Sequence, residues 1–398
     1  MLNVTSKEEC CGCTACENIC PKQAISMQED TLGFLYPVIN QSLCVDCGLC
    51  QKVCDFTHRC KNPLGKNDDA LIYVCRHKNE EEVSTSQSGA ATIAVSDWVL
   101  EHGGIVYGAG YGNHFRVQHK RATTREERDE FKGSKYVQSD MGTCFKDVKA
   151  DLESGNYVLF TGTGCQVAGL FSYVKHLHID TSKLITCDLI CHGVPSPRLW
   201  QDYVNYVEKK LGKPVVKVDF RDKKHYGWHS HKESFYTTYT TYTTYTTYTY
   251  IFYDHVAFRK SCYVCPYAST NRLSDFTVCD AWGFEKFAPE MGADNKGLSL
   301  MFVSTKKASR IFDEIRDRLY VKNVKISDCL QPNMQKPSVM NLNRVQFEKD
   351  YTKYGFNYII RKYGNISFVF RLKTFVKKFI RMILGKRGID AVKNMLGK

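Results

Sequence analysis

The chain has 398 residues, of which 43% are hydrophobic and 13% aromatic, enough to bury the cores of two or three domains and to exclude disorder throughout. No apolar run approaches the roughly 20 residues of a membrane-spanning helix, and the amino terminus lacks the apolar stretch of a signal peptide. The formal charge of +13 belongs to the carboxyl end, because residues 351–398 contain 12 Lys or Arg and one Asp. We therefore expect a protein of a reducing cytoplasm that does not bind nucleic acid.

The amino-terminal residues carry a ferredoxin-type cysteine pattern. Ten of the 19 cysteines fall in the first 60 residues, where residues 10–21 have the C-x-x-C-x-x-C-x-x-x-C-P spacing and residues 44–54 repeat it without the proline. In this motif three close thiolates hold one 4Fe-4S cube, while the fourth reaches the other cube. We predict a 4Fe-4S ferredoxin-type domain over residues 1–60, with one cluster held by Cys10, Cys13, Cys16 and Cys54 and the other by Cys44, Cys47, Cys50 and Cys20.

Zinc is the alternative for these cysteines, although zinc sites favour two ligand pairs rather than two quartets. Cys11 and Cys60 are surplus to the pattern and are interpreted as bystanders.

An α/β pattern follows a polar linker at residues 61–69. Apolar, β-branched runs predict strands at residues 71–74, 157–161, 184–190 and 215–220, and helical patterns predict helices at 89–100, 166–175 and 197–211. Their alternation predicts an α/β domain over residues 71–345. The period-three Thr/Tyr tract at 236–250 fits neither strand nor helix, so we expect a surface hairpin or loop, with a functional aromatic surface as the alternative.

Two strand-to-helix turns of this domain are candidate cofactor-binding sites. Gly162, Thr163 and Gln166 follow one predicted strand, and Ser88 and Gly89 precede another predicted helix. Backbone N–H groups and the positive end of a helix can bind a phosphate or a flavin edge at such turns. The alternatives are a glycine needed only for geometry and a helix N-cap supplied by Ser88.

Further cysteines stand where loops after parallel strands converge, at the carboxyl edge of the sheet. These residues are Cys165, Cys191, Cys262 and Cys265, and together they could hold a third 4Fe-4S cluster; buried free thiols are the alternative. The neighbouring His192 is a candidate catalytic proton donor, since an imidazole titrates near neutral pH, and a role in orienting its loop is the alternative.

Four motifs, at residues 160–166, 188–197, 258–267 and 280–283, together resemble the coenzyme F-420 hydrogenase/dehydrogenase beta-subunit family. The resemblance covers most of residues 10–305 and implies an FAD-binding domain joined to 4Fe-4S clusters, with a deazaflavin-type coenzyme or an electron-carrier protein as the redox partner. In bacteria without the deazaflavin it also implies a link to surface-polysaccharide biosynthesis. Gly164, Ala90 and Cys279 depart from the family pattern, which usually has proline at the first position and glycine at the other two.

The fold that we expect is α+β: a two-cluster ferredoxin-like domain, an α/β flavin-binding domain and a basic helical tail. The leading functional interpretation is an iron-sulfur flavoprotein oxidoreductase that moves electrons between 4Fe-4S clusters, FAD and a partner or substrate. A non-catalytic subunit that delivers electrons to a separate enzyme is the alternative.

The predicted tail, residues 351–398, contains an amphipathic helical pattern. Its apolar positions are Phe368, Leu372, Phe375, Val376, Phe379, Ile380, Ile383 and Leu384, with basic residues between them. This pattern predicts peripheral contact with an anionic membrane surface at the inner face of the membrane. The alternative is a helix that packs on the protein's own core.

Overall fold

The computed structural model describes residues 6–62, 64–65, 71–239, 241–292 and 294–365. The strands in this part of the chain are β1 Ile25–Glu29, β2 Leu35–Ile39, β3 Leu71–His77, β4 Ile105–Tyr111, β5 Val117–Ala122, β6 Val158–Thr163, β7 Leu184–Leu189, β8 Val215–Asp219, β9 Glu233–Thr237, β10 Tyr242–Tyr245, β11 Phe276–Asp280, β12 Ser299–Val303 and β13 Leu319–Val324.

The α-helices of the same residues are α1 Ala15–Ile19, α2 Leu49–Lys52, α3 Asp55–Lys61, α4 Glu80–Thr85, α5 Ala91–Glu101, α6 Arg125–Asp129, α7 Cys144–Glu153, α8 Gly164–His176, α9 Pro197–Leu211, α10 Lys223–Tyr226, α11 Thr247–Tyr253, α12 Lys306–Ile315, α13 Ile326–Cys329 and α14 Arg344–Tyr363. Short 3-10 turns connect several of these elements.

The amino-terminal domain is built on the antiparallel pair β1 and β2, with the short helices α1, α2 and α3 beside it. The two cysteine runs flank this hairpin, since residues 10–20 precede β1 and residues 44–54 follow β2. This is the ferredoxin-like arrangement that the sequence predicted.

The large domain contains an eight-stranded sheet in the order β13-β3-β12-β11-β7-β6-β4-β5. Its centre is parallel, because β11, β7, β6 and β4 run in the same direction. Consecutive residues of β6, Val158, Leu159 and Phe160, are completely buried, as expected for a strand covered on both faces. The α+β fold class is therefore confirmed.

Helices cover both faces of the large sheet. Residues of α5 and α12 pack on one face, and residues of α7 and α8 pack on the other. Ala15 and Ile19 of α1 belong to the same apolar cluster as α7 and α8. The ferredoxin-like domain therefore sits on the α8 side of the sheet.

A second apolar core joins α9, α11 and α14 to the small antiparallel sheet β10-β9-β8. The bounds of α9 follow from local signals in the sequence. The Ser196 hydroxyl accepts the Leu199 N–H at 3.0 Å, Pro197 occupies the first helical position, and Gly212 ends the helix in a left-handed conformation. The observed helix begins and ends where it was predicted.

The Thr/Tyr tract differs from its prediction as a surface hairpin or loop. Only its first part is a hairpin, made by β9 and β10, while its second part is the helix α11. Tyr248 and Ile251 of that helix are buried, and the Tyr248 hydroxyl donates to the Tyr136 carbonyl at 2.8 Å. The prediction was wrong here because a repetitive composition hides which tyrosines face a core.

The carboxyl-terminal prediction is only partly within the described residues. Tyr351, Ile359 and Tyr363 of α14 pack into the second core. The predicted membrane-facing residues, 368–384, lie outside the described residues, so that contact and the domain limits at 60, 71, 345 and 351 stay predictions. No helix in the described part of the chain is both long enough and apolar enough to cross a membrane.

Candidate functional site

Two members of the first cysteine quartet lie in the loop that leads into α1, the third lies in α1, and the fourth directly precedes α3. Its members, Cys10, Cys13, Cys16 and Cys54, lie near one another: burial raises the pKa of the Cys16 thiol well above its usual value, and the three other thiols raise it further. Gly12 turns this loop with a φ of +72°, a conformation that favours glycine.

The second quartet, Cys20, Cys44, Cys47 and Cys50, lines one small cavity beside α2. The Ala24 N–H donates to the Cys20 sulfur at 3.4 Å. Because Cys47 is exposed, this quartet lies at the molecular surface.

The third group of thiols comes together at the carboxyl edge of the sheet. Cys165 is on the first turn of α8, Cys191 follows β7, and Cys262 and Cys265 come from the loop before β11. These four thiols line a second small cavity, and Cys11 of the amino-terminal loop lines it with them.

Backbone donors already point at two of these sulfurs. The Gly193 N–H donates to the Cys191 sulfur at 3.3 Å, and the Val194 N–H donates to the Cys262 sulfur at 3.4 Å. Such N–H bonds stabilise a thiolate and are typical around cluster ligands.

The two amino-terminal cysteines that the ferredoxin pattern does not use occupy different environments. Cys60 is exposed, as expected for a bystander, but Cys11 is buried between two thiol groups rather than standing apart from them. In the described residues no three His, Cys, Asp or Glu side chains are arranged to hold a single metal ion. The quartets are identified instead because their members line a common cavity or lie near one another.

A large cavity of about 520 Å³ opens at the same edge, where β6, β7 and β11 end. Six predicted site residues line it: Ser88, Gly162, Thr163, Gln166, Cys191 and His192. The predicted residue Gly89 does not line it.

The turn before α8 is held by its own side chains. The Thr163 N–H donates to the Gln166 side-chain oxygen at 2.9 Å, and the Gln166 amide donates to the Ser139 hydroxyl at 2.8 Å. At Gly164 an added Cβ would lie 3.1 Å from the Arg272 guanidinium and 3.2 Å from the Asp188 carboxylate. The departure from the family's proline thus falls where the backbone closely approaches a buried ion pair, Arg272 with Asp188.

Ser88 and Gly89 differ in their relation to the cavity, which only Ser88 lines. Ser88 does not cap α5, because its hydroxyl donates to the Leu298 carbonyl at 2.5 Å and the N-cap is the left-handed Ala90. Gly89 packs against strands, where an added Cβ would lie 2.3 Å from the Cys75 carbonyl oxygen. Glycine is therefore required at 89 for close packing, and only Ser88 reaches the cavity.

Titratable side chains line the cavity wall near β6. His119 is buried, which lowers its pKa to about 4, and its Nε2 lies 3.0 Å from the Thr161 carbonyl oxygen. With this pKa the ring is neutral at neutral pH. Its single proton lies on Nε2, because that nitrogen must donate to the carbonyl. Burial also lowers the pKa of the Lys135 amine to about 7, so this lysine is poised to gain or lose a proton near neutral pH.

The opposite wall is aromatic and basic. Arg221 is buried and paired with Asp280 at 2.6 Å, and its guanidinium lies 5.2 Å from the centre of the Trp282 ring. His231 lines the cavity and hydrogen bonds to Tyr253. Burial lowers the pKa of His231 to about 4. Tyr253 directly follows the Thr/Tyr tract on α11, so the helix that the tract forms contributes to the site.

His192 lies on this wall as well. Its ring is exposed to the cavity, and enclosure by the cavity walls lowers its pKa. Its carbonyl accepts a hydrogen bond from Ser338 at 2.5 Å, which fixes the loop that carries it.

Several buried polar atoms that belong to cavity-lining residues have no hydrogen-bond partner in the described chain. They are Gln87 Nε2, Arg128 Nη2, Asp188 Oδ1 and Arg221 Nε. Three of these atoms are donors, and Asp188 Oδ1 is an acceptor. Buried polar groups are normally satisfied, so this cavity suits a ligand that has both hydrogen-bond acceptors and donors. An FAD, with its diphosphate and its hydrogen-bonding ring, fits this set of atoms.

The site and the fold define an iron-sulfur protein of the oxidoreductase type. Residues 9–57 match the family described as 4Fe-4S dicluster domain. Residues 155–328 match the family described as the C-terminal region of the coenzyme F420 hydrogenase/dehydrogenase beta subunit. These two segments are therefore similar to a 4Fe-4S dicluster domain and to the C-terminal part of that beta subunit, and the resemblance predicted from the sequence is confirmed.

A search of curated proteins finds no match. Among solved structures, the chain is similar to one from the F420-reducing [NiFe] hydrogenase complex of Methanosarcina barkeri, determined with xenon derivatization. The two chains are 20% identical, the match covers 72% of this chain and 94% of that chain, and the TM-score is 0.47.

Proposed function

We propose that the chain is an iron-sulfur flavoprotein oxidoreductase with two amino-terminal 4Fe-4S clusters, a third 4Fe-4S cluster at Cys165, Cys191, Cys262 and Cys265, and FAD in the large cavity. One observation carries the proposal: the thiol-lined cavity and the large cavity have a common wall. The residues that line both are Thr163, Leu189, Cys191, Gly193 and Val194. A cluster held by the third group would therefore lie directly beside a ligand of the large cavity.

Bound FAD would supply two-electron exchange with a substrate and one-electron exchange with iron-sulfur clusters. The start of α8, at Gly162 and Thr163, presents the positive end of the helix to an anionic group, and Lys135 adds a nearby cation. His119, which is neutral, and Arg221 also line the cavity and could hold atoms of the flavin ring by hydrogen bonds.

His192 is the proposed proton donor to the substrate. It lies in the cavity wall directly after the ligand Cys191, and Ser338 holds its backbone. An imidazole that takes up a proton from solvent can release it to the substrate and return to its neutral form, which enclosure in the cavity wall favours.

The test is anaerobic purification of the full chain followed by cofactor extraction. We expect about one FAD per chain and about twelve atoms each of iron and acid-labile sulfide, four of each per cube. The Cys60→Ala variant, which removes an exposed thiol, is a control that should keep all of these contents. A chain that binds no flavin at micromolar concentration would refute the enzyme proposal, and zinc without sulfide would refute the clusters.

A non-catalytic electron-transfer subunit is the second candidate. It is favoured by the surface position of the second quartet, where exposed Cys47 suits exchange with another protein, and by the family match, which describes a subunit. Turnover of a substrate by the isolated, flavin-loaded chain would favour the enzyme. Cluster reduction without any turnover would favour the subunit.

The proposed redox partner is an electron-carrier protein or a deazaflavin-type coenzyme. The link to surface-polysaccharide biosynthesis and the membrane contact of residues 368–384 rest on the sequence alone. Flotation with anionic liposomes, comparing the full chain with one that ends at Asp350, tests the membrane contact.

A further inference from the structure

Two buried residues join the first cysteine quartet to the third group of thiols. They are Cys11, which the ferredoxin motif does not use, and Arg259, which lies in the large domain shortly before Cys262. Cys11 is only 6% exposed and Arg259 is completely buried.

Cys11 lies between ligands of two different sites. Its side chain belongs to one apolar cluster with Phe56 and Tyr267, and the Cys13 and Cys165 side chains both pack against that cluster. Cys13 belongs to the first quartet and Cys165 to the third group. One thiol therefore contacts a proposed ligand of each cluster.

Helix α8 brings these two ligands together. Cys165 is on its first turn, and Gly169 follows one turn later on the same helix. An added Cβ at Gly169 would lie 2.9 Å from the Cys13 sulfur. The absence of a side chain at 169 thus allows the first quartet to rest directly on the helix that carries the third group.

Arg259 binds the amino-terminal loop through its side chain. Its Nη2 donates to the Cys10 sulfur at 3.4 Å and to the Leu35 carbonyl at 2.8 Å, and its Nε donates to the Cys10 carbonyl at 2.7 Å. Its guanidinium also lies 4.1 Å from the centre of the Tyr36 ring.

The main chain of Arg259 binds the other site, since its carbonyl accepts the Cys262 N–H at 3.0 Å. Gln138 strengthens the connection by accepting from Arg259 Nη1 at 3.0 Å and donating to the Cys11 carbonyl at 2.9 Å. Gly12 completes the close approach, because a Cβ there would lie 2.8 Å from the guanidinium.

We infer that Cys11 and Arg259 form an electron-transfer junction between the first quartet and the third group of thiols. This inference rests on the proposed function, since it requires a cluster at each of the two sites. Both are positioning residues rather than ligands: the Cys11 S–H donates toward ligand sulfurs, and Arg259 places a fixed positive charge and an N–H bond at Cys10.

The junction carries one electron at a time and changes no bond. The cluster at the first quartet loses the electron that the cluster at the third group gains, and the first is replenished through the second cluster by a low-potential electron-carrier protein. Hydrogen bonds to ligand sulfurs and nearby positive charge both favour the reduced, more negative form of a cluster. Loss of either residue should therefore lower the reduction potential of the clusters that it contacts.

The test is an anaerobic redox titration of the full chain, monitored by electron paramagnetic resonance. In Arg259→Gln we expect the equilibrium constant for one-electron reduction of the first cluster to fall at least tenfold, which corresponds to about 59 mV. Arg259→Lys, which keeps the charge but loses the fork of donors, should show a smaller shift.

Cys11→Ala provides a second test if Arg259 variants fail to fold. It should lower the potentials of both the first and the third cluster, Cys11→Ser should restore them by retaining a hydroxyl donor, and Cys60→Ala should leave them unchanged. Full iron content with unmoved potentials in both Arg259→Gln and Cys11→Ala would overturn the junction alone. Wild-type chain with about eight rather than twelve iron atoms would instead refute the third cluster of the proposed function, and the junction with it.

Discussion

The sharpest consequence of the geometry concerns the paired thiols Cys262 and Cys265. Both line the cavity that Cys165 and Cys191 also line, whereas neither belongs to the amino-terminal quartets. Replacing both by alanine should remove one cube and leave two. We therefore expect iron and acid-labile sulfide each to fall from about twelve to about eight atoms per chain.

The assay is colorimetric iron and sulfide analysis of anaerobically purified protein, normalised to chain concentration by amino-acid analysis. The matched control is Cys75→Ala with Cys144→Ala, two thiols buried in the core of the large domain and outside all three groups. The control should keep about twelve iron atoms. If the Cys262→Ala, Cys265→Ala protein is folded and retains as much iron as the control, the third cluster does not exist.

Three further predictions concern the cavity and the tract beside it. Gly162→Asp should weaken FAD binding at least tenfold in a fluorescence titration, because it adds a negative charge at an anion-binding turn, and unchanged affinity would place the flavin elsewhere. The extent to which a small acylating reagent labels Lys135, measured by mass spectrometry against pH, should have its midpoint near the pKa of about 7. A midpoint near pH 10 would contradict the burial that lowers this pKa. Burial raises the pKa of the Glu233 carboxyl to about 7, above its unfolded value. The stability that protonated Glu233 contributes is therefore complete at acidic pH and falls by about 3 kcal/mol as the pH rises toward 7. Hydrogen-exchange rates in α11, corrected for the intrinsic rate, should show this pH dependence, and Glu233→Gln should remove it.

Features with a local signal were predictable from the sequence. The ferredoxin quartets follow from spacing within runs of eleven residues, and α9 follows from Ser196, Pro197 and Gly212 at its two ends. The third group required one additional rule, that loops after parallel strands meet at one edge of the sheet. Its four cysteines do meet there.

Features that depend on distant parts of the chain were not predictable. Cys11 differs from a bystander only because α8 places Cys165 beside it, and no spacing near residue 11 shows this. Similarly, Ser88 has the residue type of an N-cap, but its hydroxyl binds Leu298 instead, and a Cβ at Gly89 would collide with the Cys75 carbonyl. Tertiary contacts thus decided the role of these residues.

The three thiol groups also differ in their access to solvent, and this difference indicates where electrons enter the proposed path. Cys47 of the second quartet is exposed, whereas in the third group Cys191 and Cys262 sulfurs accept backbone N–H bonds beside the large cavity. The first quartet packs against α8, with Arg259 at Cys10. Burial disfavours the added negative charge of a reduced cluster, whereas donors and positive charge near the ligand sulfurs stabilise it. Arg259 and the backbone N–H bonds therefore offset the cost that burial adds to reduction of the two inner clusters, so that an electron received at the second quartet can pass inward.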